Sequence, residues 1–222
     1  MKIDIGEHIL SAHQEITAKN REMLQKYGIL TMNLMGSPGA GKTSVLEALI
    51  GRLKSTFRIA VIEGDLYTSK DAERIEAFGI PVVQINTRGA CHLDGKMIDW
   101  ALQQLPLSEI DLLIIENIGN LVCPAEFDLG EDFRVSVLSV TEGEDKVPKY
   151  PLMFKEVAAV ILNKVDLLPY TDFDKELFYH DLRRLNPDTA VFELSCRTGS
   201  GNDEFAYWLQ NTITGKELKG GK

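Results

Sequence analysis

Gly36-Ser37-Pro38-Gly39-Ala40-Gly41-Lys42-Thr43 follows directly on the apolar run Leu30-Thr31-Met32-Asn33-Leu34-Met35. The octet satisfies G-x-x-x-x-G-K-[ST], a pattern whose glycines let successive backbone N–H groups curl around a phosphate chain. In such a loop Lys42 reaches the terminal phosphates and the Thr43 hydroxyl can ligate Mg2+. From Ser44 to Lys54, Val45, Leu46, Leu49, Ile50 and Leu53 recur at helical spacing, so the phosphates would sit at a helix N-terminus. Strand, loop and helix occur in the order a nucleoside triphosphate site requires, and residues 36 to 44 are the expected binding segment.

The chain has 222 residues, 44% of them apolar, enough to bury one large core. A net charge of -9 argues against nucleic acid as the main partner, because phosphate binding needs clustered Lys and Arg. Apolar stretches fall short of membrane-spanning length. The start, Met1-Lys2-Ile3-Asp4-Ile5-Gly6, lacks the basic and then apolar character of a signal peptide, so a cytoplasmic location is expected. Three cysteines in a chain this long do not form a disulfide framework and need another explanation.

Apolar runs alternate with amphipathic segments. Strands are expected at 30–35, 58–63, 82–86, 111–116, 135–140, 157–162 and 189–194. Runs such as Leu112-Leu113-Ile114-Ile115 and Val157-Ala158-Ala159-Val160-Ile161-Leu162 are continuous rather than alternating, as in strands covered on both faces. The expected fold is therefore α/β, a mostly parallel central sheet between helical layers. Residues 1–27 read as an N-terminal amphipathic helix, with Ile9, Leu10, Ile16, Met23 and Leu24 among charged residues, and 28–215 as the nucleotide-binding domain. A disordered tail is expected over 216–222.

Asn163-Lys164-Val165-Asp166, at the end of a predicted strand some 120 residues past the phosphate loop, resembles the guanine motif of P-loop GTPases. There the Asp carboxylate accepts from guanine N1–H and the exocyclic amine, while the Asn amide meets the other edge of the purine. Adenine offers no such pair of donors, and the unpaired carboxylate would cost about 1–3 kcal/mol. Ser195-Cys196-Arg197-Thr198-Gly199 resembles the remaining base-contacting loop. Glu116-Asn117-Ile118-Gly119 stands where many GTPases carry Asp-x-x-Gly. By that resemblance Glu116 holds Mg2+ through water, and the Gly119 amide senses the γ-phosphate. Asp65 is the other strand-end carboxylate, assigned either to Mg2+ or to orienting the attacking water. Lys42, Asp65 and Glu116 are thus the expected catalytic set, with Thr43, Asp65 and Glu116 around Mg2+. Asn120 occupies the place of a water-orienting Gln, which predicts slow intrinsic hydrolysis of GTP to GDP.

Cys91-His92 and Cys123 lie in loops that leave carboxyl ends of predicted strands, the edge at which an open parallel sheet binds its nucleotide. Two thiolates and an imidazole suit Zn2+, Ni2+ or Cu rather than Mg2+ or Ca2+. Three ligands leave the ion open to exchange or to completion by water or a second subunit. The plainer alternative is that each cysteine is a buried small hydrophobe.

The pairing of Gly-Ala-Cys-His-Leu-Asp with Glu-Asn-Ile-Gly-Asn-Leu-Val-Cys-Pro-Ala-Glu-Phe-Asp-Leu-Gly resembles the hydrogenase maturation GTPases of the HypB family. The resemblance implies a GTP-hydrolysing accessory protein that dimerises with nucleotide and helps insert nickel into the large-subunit precursor of [NiFe] hydrogenase, together with a small zinc-containing nickel chaperone. It also implies that Cys91, His92 and Cys123 bind Zn2+ or Ni2+ at the dimer interface. The N-terminal Cys-x-x-Cys-Gly-Cys site and His-rich store of some relatives have no counterpart here. His8 and His13, five apart on one expected helix, read as surface residues. Four positions separate Gly119 from Cys123, so a nucleotide-driven loop shift would move a metal ligand. The rivals are a urease-type nickel-insertion GTPase, a P-loop small-molecule kinase, which the guanine motif opposes, and a non-catalytic nucleotide-gated scaffold.

Overall fold

The computed structural model describes residues 5–66 and 69–215, the side chains of 5–12 excepted. The expected tail, 216–222, and the His8 side chain lie outside the described residues. In chain order the elements are α1 (Ile5–Tyr27), β1 (Leu30–Gly36), α2 (Lys42–Leu53), β2 (Ile59–Asp65), α3 (Lys70–Glu76), β3 (Val82–Asn86), α4 (Gly95–Leu102), β4 (Leu112–Glu116), α5 (Cys123–Glu126), β5 (Phe133–Ser139), α6 (Lys146–Lys149), α7 (Pro151–Lys155), β6 (Ala159–Asn163), α8 (Lys175–Leu185), β7 (Ala190–Glu193) and α9 (Asn202–Ile213). The strands form one parallel sheet in the order β3-β2-β4-β1-β5-β6-β7.

The continuous apolar runs are explained by period-two sorting between two covered faces. In β4, Leu112 and Ile114 pack under α2 and α9, whereas Leu113 and Ile115 pack under α1 and α4. On the same face as Leu113 and Ile115, across β5 and β6, Leu138, Val160 and Leu162 meet Phe154 of α7 and Phe178 of α8. Each strand therefore presents both parities to a dry layer.

All seven expected strands form, with ends set by pairing rather than by hydropathy. β5 starts at Phe133, two residues before the expected position, because Phe133 is in register with Met32 of β1. β6 runs on to Asn163, which is in register with Ser139, so the guanine-motif Asn is the last residue of a strand rather than the first of a loop. Likewise α2 begins at Lys42, earlier than its first apolar residue suggests.

α1 docks through a face that is partly polar. Among its described side chains, Thr17, Asn20 and Leu24 are the buried ones, one helical stripe at spacings of three and four. Asn20 Nδ2 donates to the Gly95 carbonyl at 2.7 Å, and Thr17 Oγ1 donates to the Asp128 carbonyl at 3.0 Å. Gly95 opens α4 just after the Cys91 loop, and Asp128 follows α5, so the helix buttresses both segments. Leu24, 1% exposed, is packed into the layer shared with α4. Leu24→Ala is expected to destabilise the whole chain by about 2–5 kcal/mol, read as a lower midpoint of chemical denaturation with a single transition.

Candidate functional site

The loops after β1, β2 and β4 meet at the carboxyl edge of the sheet around a cavity of 340 Å³. Pro38, Gly39, Gly41, Lys42, Thr43 and Ser44 form one wall; Glu63, Asp65, Glu116 and Gly119 contribute to the other. Gly36, Ser37 and Ala40 complete the loop behind this surface. Gly41 caps α2 at φ 97, without a side-chain cap, so the first turn of α2 is left to an external acceptor. A Cβ on Gly41 would run into Asn163 Nδ2, and one on Gly119 would lie 2.8 Å from Pro38 N and Cα. The segment after β4 is therefore pressed against the phosphate loop.

Lys42 is 7% exposed, with Nζ donating to the Gly36 and Ser37 carbonyls at 3.3 Å, and burial lowers its pKa. Thr43 Oγ1 donates to Glu116 Oε1 at 2.8 Å. Burial pushes Glu116 up to about 7, against the pull of Lys42 and Thr43. Glu63, in register with Glu116 across β2 and β4, is pushed up to about 8 by burial and then by the Glu116 carboxylate. Each of these carboxylates keeps one buried oxygen without a hydrogen-bond partner, Glu63 Oε2 and Glu116 Oε2. Two carboxylates and a hydroxyl at the foot of a phosphate loop are a hard oxygen donor set, which fits Mg2+.

Sequence reasoning finds Asp65 and Glu116 and passes over Glu63. The signal is present, since Glu63 interrupts the buried run Ile59-Ala60-Val61-Ile62 before the strand ends. A carboxylate inside a fully covered strand is rarely ornamental. Asp71 and Arg74 also line the cavity, Arg74 pairing with Glu47 at 2.6 Å and Asp71 at 2.8 Å.

An adjoining cavity of 210 Å³ is lined by Gly41, Ser44, Asn163, Lys164, Asp166, Leu167, Cys196 and Arg197. Asn163 Nδ2 donates to the Ala40 carbonyl at 2.9 Å and Lys164 Nζ to the Gly39 carbonyl at 2.6 Å, which ties this wall to the phosphate loop. Ser195 Oγ donates to Asp166 Oδ1 at 2.6 Å. Ser195 is fully buried behind the cavity, so it orients the carboxylate, while Cys196 and Arg197 line the space. A carboxylate fixed on this wall suits a base edge with adjacent N–H donors.

The third expected cluster also assembles. The donor atoms of Cys91, His92 and Cys123 lie within 4.8 Å of one another, with Cys91 Sγ 3.1 Å from Cys123 Sγ and 3.7 Å from His92 Nδ1. His92 stacks on Phe127 at 3.9 Å between centroids and 12° between planes. Burial lowers the His92 pKa, favouring the neutral imidazole that a metal binds. Two sulfur donors and one nitrogen donor fit Zn2+ or Ni2+, and Cys91 is exposed, so the cluster is open to solvent.

One expectation is corrected. His13 is not a surface residue: it is half-buried, tilted against Phe127 at 5.4 Å, and its Nε2 accepts from Gly95 N–H at 3.4 Å. Docking of α1 beside α4, a long-range contact, covers it. Asn120 is not among the residues lining the nucleotide cavity. Its N–H donates to the Gly36 carbonyl at 3.1 Å, its side-chain amide donates to the Cys91 carbonyl at 3.3 Å, and its Oδ1 accepts from Val122 N–H at 2.9 Å. The side chain is engaged at the Cys91 loop, not in placing water.

Phosphate loop, acidic strand ends and base wall on a parallel sheet define a P-loop nucleotide-binding protein. A family model described as CobW/HypB/UreG, nucleotide-binding domain, matches residues 30–193. The chain is 42% identical over 217 residues to the probable hydrogenase maturation factor HypB of Methanocaldococcus jannaschii, covering 98% of this chain and 97% of that one. It is 46% identical over 208 residues to hydrogenase maturation factor HypB of Escherichia coli K12, covering 94% of this chain and 72% of the relative. The crystal structure of HypB from Helicobacter pylori in complex with nickel superposes with a TM-score of 0.88 at 36% identity, over 95% of this chain and 99% of that one. The chain belongs to the HypB hydrogenase maturation factors of the CobW/HypB/UreG family.

Gly41→Ala is expected to fold yet to lose nucleotide affinity by tenfold or more, about 1.4 kcal/mol, because the new methyl meets Asn163 and the φ of 97 is strained. Calorimetric titration with GDP checks this.

Proposed function

We propose that this protein is a GTP-hydrolysing accessory factor for nickel insertion into [NiFe] hydrogenase, in which the nucleotide state controls a transition-metal site. The observation that carries the reading is the placement of the Cys91–His92–Cys123 cluster: Cys123 is four residues beyond Gly119, which abuts Pro38 of the phosphate loop.

The phosphate loop and the α2 N-terminus bind the triphosphate, with Lys42 directed to its terminal oxygens. Asn163 and Asp166, the latter oriented by Ser195, select guanine; Lys164, Cys196 and Arg197 enclose the base. Mg2+ held here would supply positive charge against that developing on the phosphoryl group and its leaving group. Thr43, Asp65 and Glu116 hold that ion, and Glu63 supplies the further carboxylate beside it. Hydrolysis is slow, as befits a switch, since Asn120 stands at the water-orienting position and its amide is engaged by the Cys91 carbonyl. Cys91, His92 and Cys123 hold Ni2+ or Zn2+ as exchangeable cargo. The protein works as a homodimer formed with nucleotide or metal, receives nickel from a small zinc-containing chaperone, and delivers it to the hydrogenase large-subunit precursor. Among the described residues no helix is long and apolar enough to cross a membrane.

The guanine wall opposes the small-molecule kinase alternative, and a hydrolysis rate equal to background with partners present would favour the non-catalytic scaffold. Asp166→Ala should weaken GDP by at least about tenfold while leaving the weak competition by ADP unchanged; equal loss for both would remove the guanine assignment. Titration of Ni2+ and Zn2+ should give different affinities with GDP and with a non-hydrolysable GTP analogue, by about fivefold or more. Cys91→Ala or Cys123→Ala should abolish the site and leave nucleotide affinity intact. Identical metal affinity in both nucleotide states removes the switch.

A further inference from the structure

The covalent path from Gly119 to Cys123 reaches only one of the three metal ligands. Cys91 and His92 lie on a separate loop after β3, and a shift confined to residues 119–123 would leave them behind. Side chains of the segment that follows β4 hold this second loop from both sides. Asn120 Nδ2 donates to the Cys91 carbonyl at 3.3 Å, and Asn117 Oδ1 accepts from Leu93 N–H at 3.3 Å. The backbone is thus gripped immediately before and immediately after His92.

Both asparagines are also fixed to the nucleotide side. The Asn117 N–H donates to the Leu34 carbonyl in β1 at 3.0 Å and that of Asn120 to the Gly36 carbonyl at 3.1 Å, the latter as an isolated antiparallel bridge onto the first residue of the phosphate loop. Between them Gly119 touches Pro38. Asn117, 1% exposed, is part of the cavity wall itself.

A buried polar chain leads from Asn117 to the Cys123 loop as well. Asn117 Nδ2 donates to Asn33 Oδ1 at 3.3 Å, and Asn33 Nδ2 donates to Glu131 Oε1 at 3.3 Å. Arg134 Nε donates to the same Glu131 oxygen at 2.5 Å, while its two terminal nitrogens donate to the Ala125 and Phe127 carbonyls at 3.0 Å. Those carbonyls belong to the end of α5, whose first residue is Cys123, and to the residue whose ring stacks on His92. A network of this kind has no water to fall back on, so breaking one member leaves another unpaired.

We propose that Asn117 and Asn120 are positioning residues that make the Cys91–His92 loop follow the nucleotide-sensing segment, so that all three metal ligands respond to the nucleotide rather than Cys123 alone. This rests on the reading above that the nucleotide state controls the metal site. Asn120 supplies the testable contact, because it lies at the surface end of the network and its amide makes one bond to the Cys91 loop; it also meets the Cys123 thiol, so each labelling rate is compared between nucleotides within one variant. Asn120→Asp keeps the shape and the acceptor for Val122 N–H but cannot donate to the Cys91 carbonyl.

The test uses metal-free full-length protein with GDP or a non-hydrolysable GTP analogue, and follows alkylation of Cys91 and Cys123 separately by peptide mass spectrometry. In the unsubstituted protein both thiols should change labelling rate between nucleotides, Cys91 by about fivefold or more. In Asn120→Ala and Asn120→Asp the Cys91 ratio should fall to about one, while the Cys123 ratio persists through its covalent link and the affinity for each nucleotide is unchanged. A merely structural role would move both ratios or the melting temperature, and would not set Cys91 apart from Cys123. A Cys91 ratio that survives both substitutions overturns the inference and leaves the functional reading standing. A Cys123 response without a Cys91 response in the unsubstituted protein does the same. No response at either thiol overturns both.

Discussion

Glu63 and Glu116 stand side by side at the ends of β2 and β4, and burial raises both toward or above neutrality. Two like charges at one register position of a covered sheet are tolerable only if a proton or a cation is taken up between them. Lys42, itself lowered by burial, is a nearby cation but reaches the carbonyls of its own loop. The edge of the sheet therefore favours uptake of a proton or a cation between the two carboxylates. A nucleoside triphosphate with a divalent cation meets that requirement, because the cation answers the carboxylates and the phosphates answer Lys42 and the helix N-terminus. The remaining loops are arranged around this constraint.

The parallel sheet explains why the Cys91–His92–Cys123 cluster lies so close to the nucleotide cavity. With β1 flanked by β4, and β4 by β2, loops leaving three carboxyl ends must share one edge. The segment after β4 touches the phosphate loop at Gly119 and carries Cys123 four residues on; the loop after β3 brings Cys91 and His92. Leu93 is seated on Gly64, where an added Cβ would meet its side chain at 2.9 Å, so the Cys91 loop also rests on the strand that bears Glu63 and Asp65. Two sulfurs and a nitrogen thus gather next to a group of oxygen donors without a residue in common.

Much of this is legible in the chain. The strands announce themselves as continuous apolar runs, and the phosphate loop, the guanine motif and the Cys-His and Cys-Pro-Ala-Glu-Phe-Asp segments are local in sequence. The misreadings share a cause. α1 reads as a helix with an apolar stripe, yet its docking face includes Thr17 and Asn20, because the carbonyls of Gly95 and Asp128 need donors. Helical spacing sends His13 to the surface because it says nothing about what lies opposite. Distance along the chain from Gly119 places Asn120 beside the nucleotide loop but does not reveal that its side chain turns to the Cys91 loop. Glu63 escapes notice because its partner, Glu116, is remote in sequence.

The sequence by itself determined the element types, the sheet's two-sided burial and the local residue patterns of the phosphate loop and the Cys-His and Cys-Pro segments, since propensity, periodicity and loop chemistry act over a few residues. Tertiary structure alone decided which motifs touch: that Glu63 joins Glu116, that Ser195 orients Asp166, and that Asn117 and Asn120 grip the loop carrying Cys91 and His92. The reason is physical. Hydrogen-bond partners and carboxylate pKa values depend on what packing brings within a few ångströms, and strand register fixes that only once the whole sheet has formed.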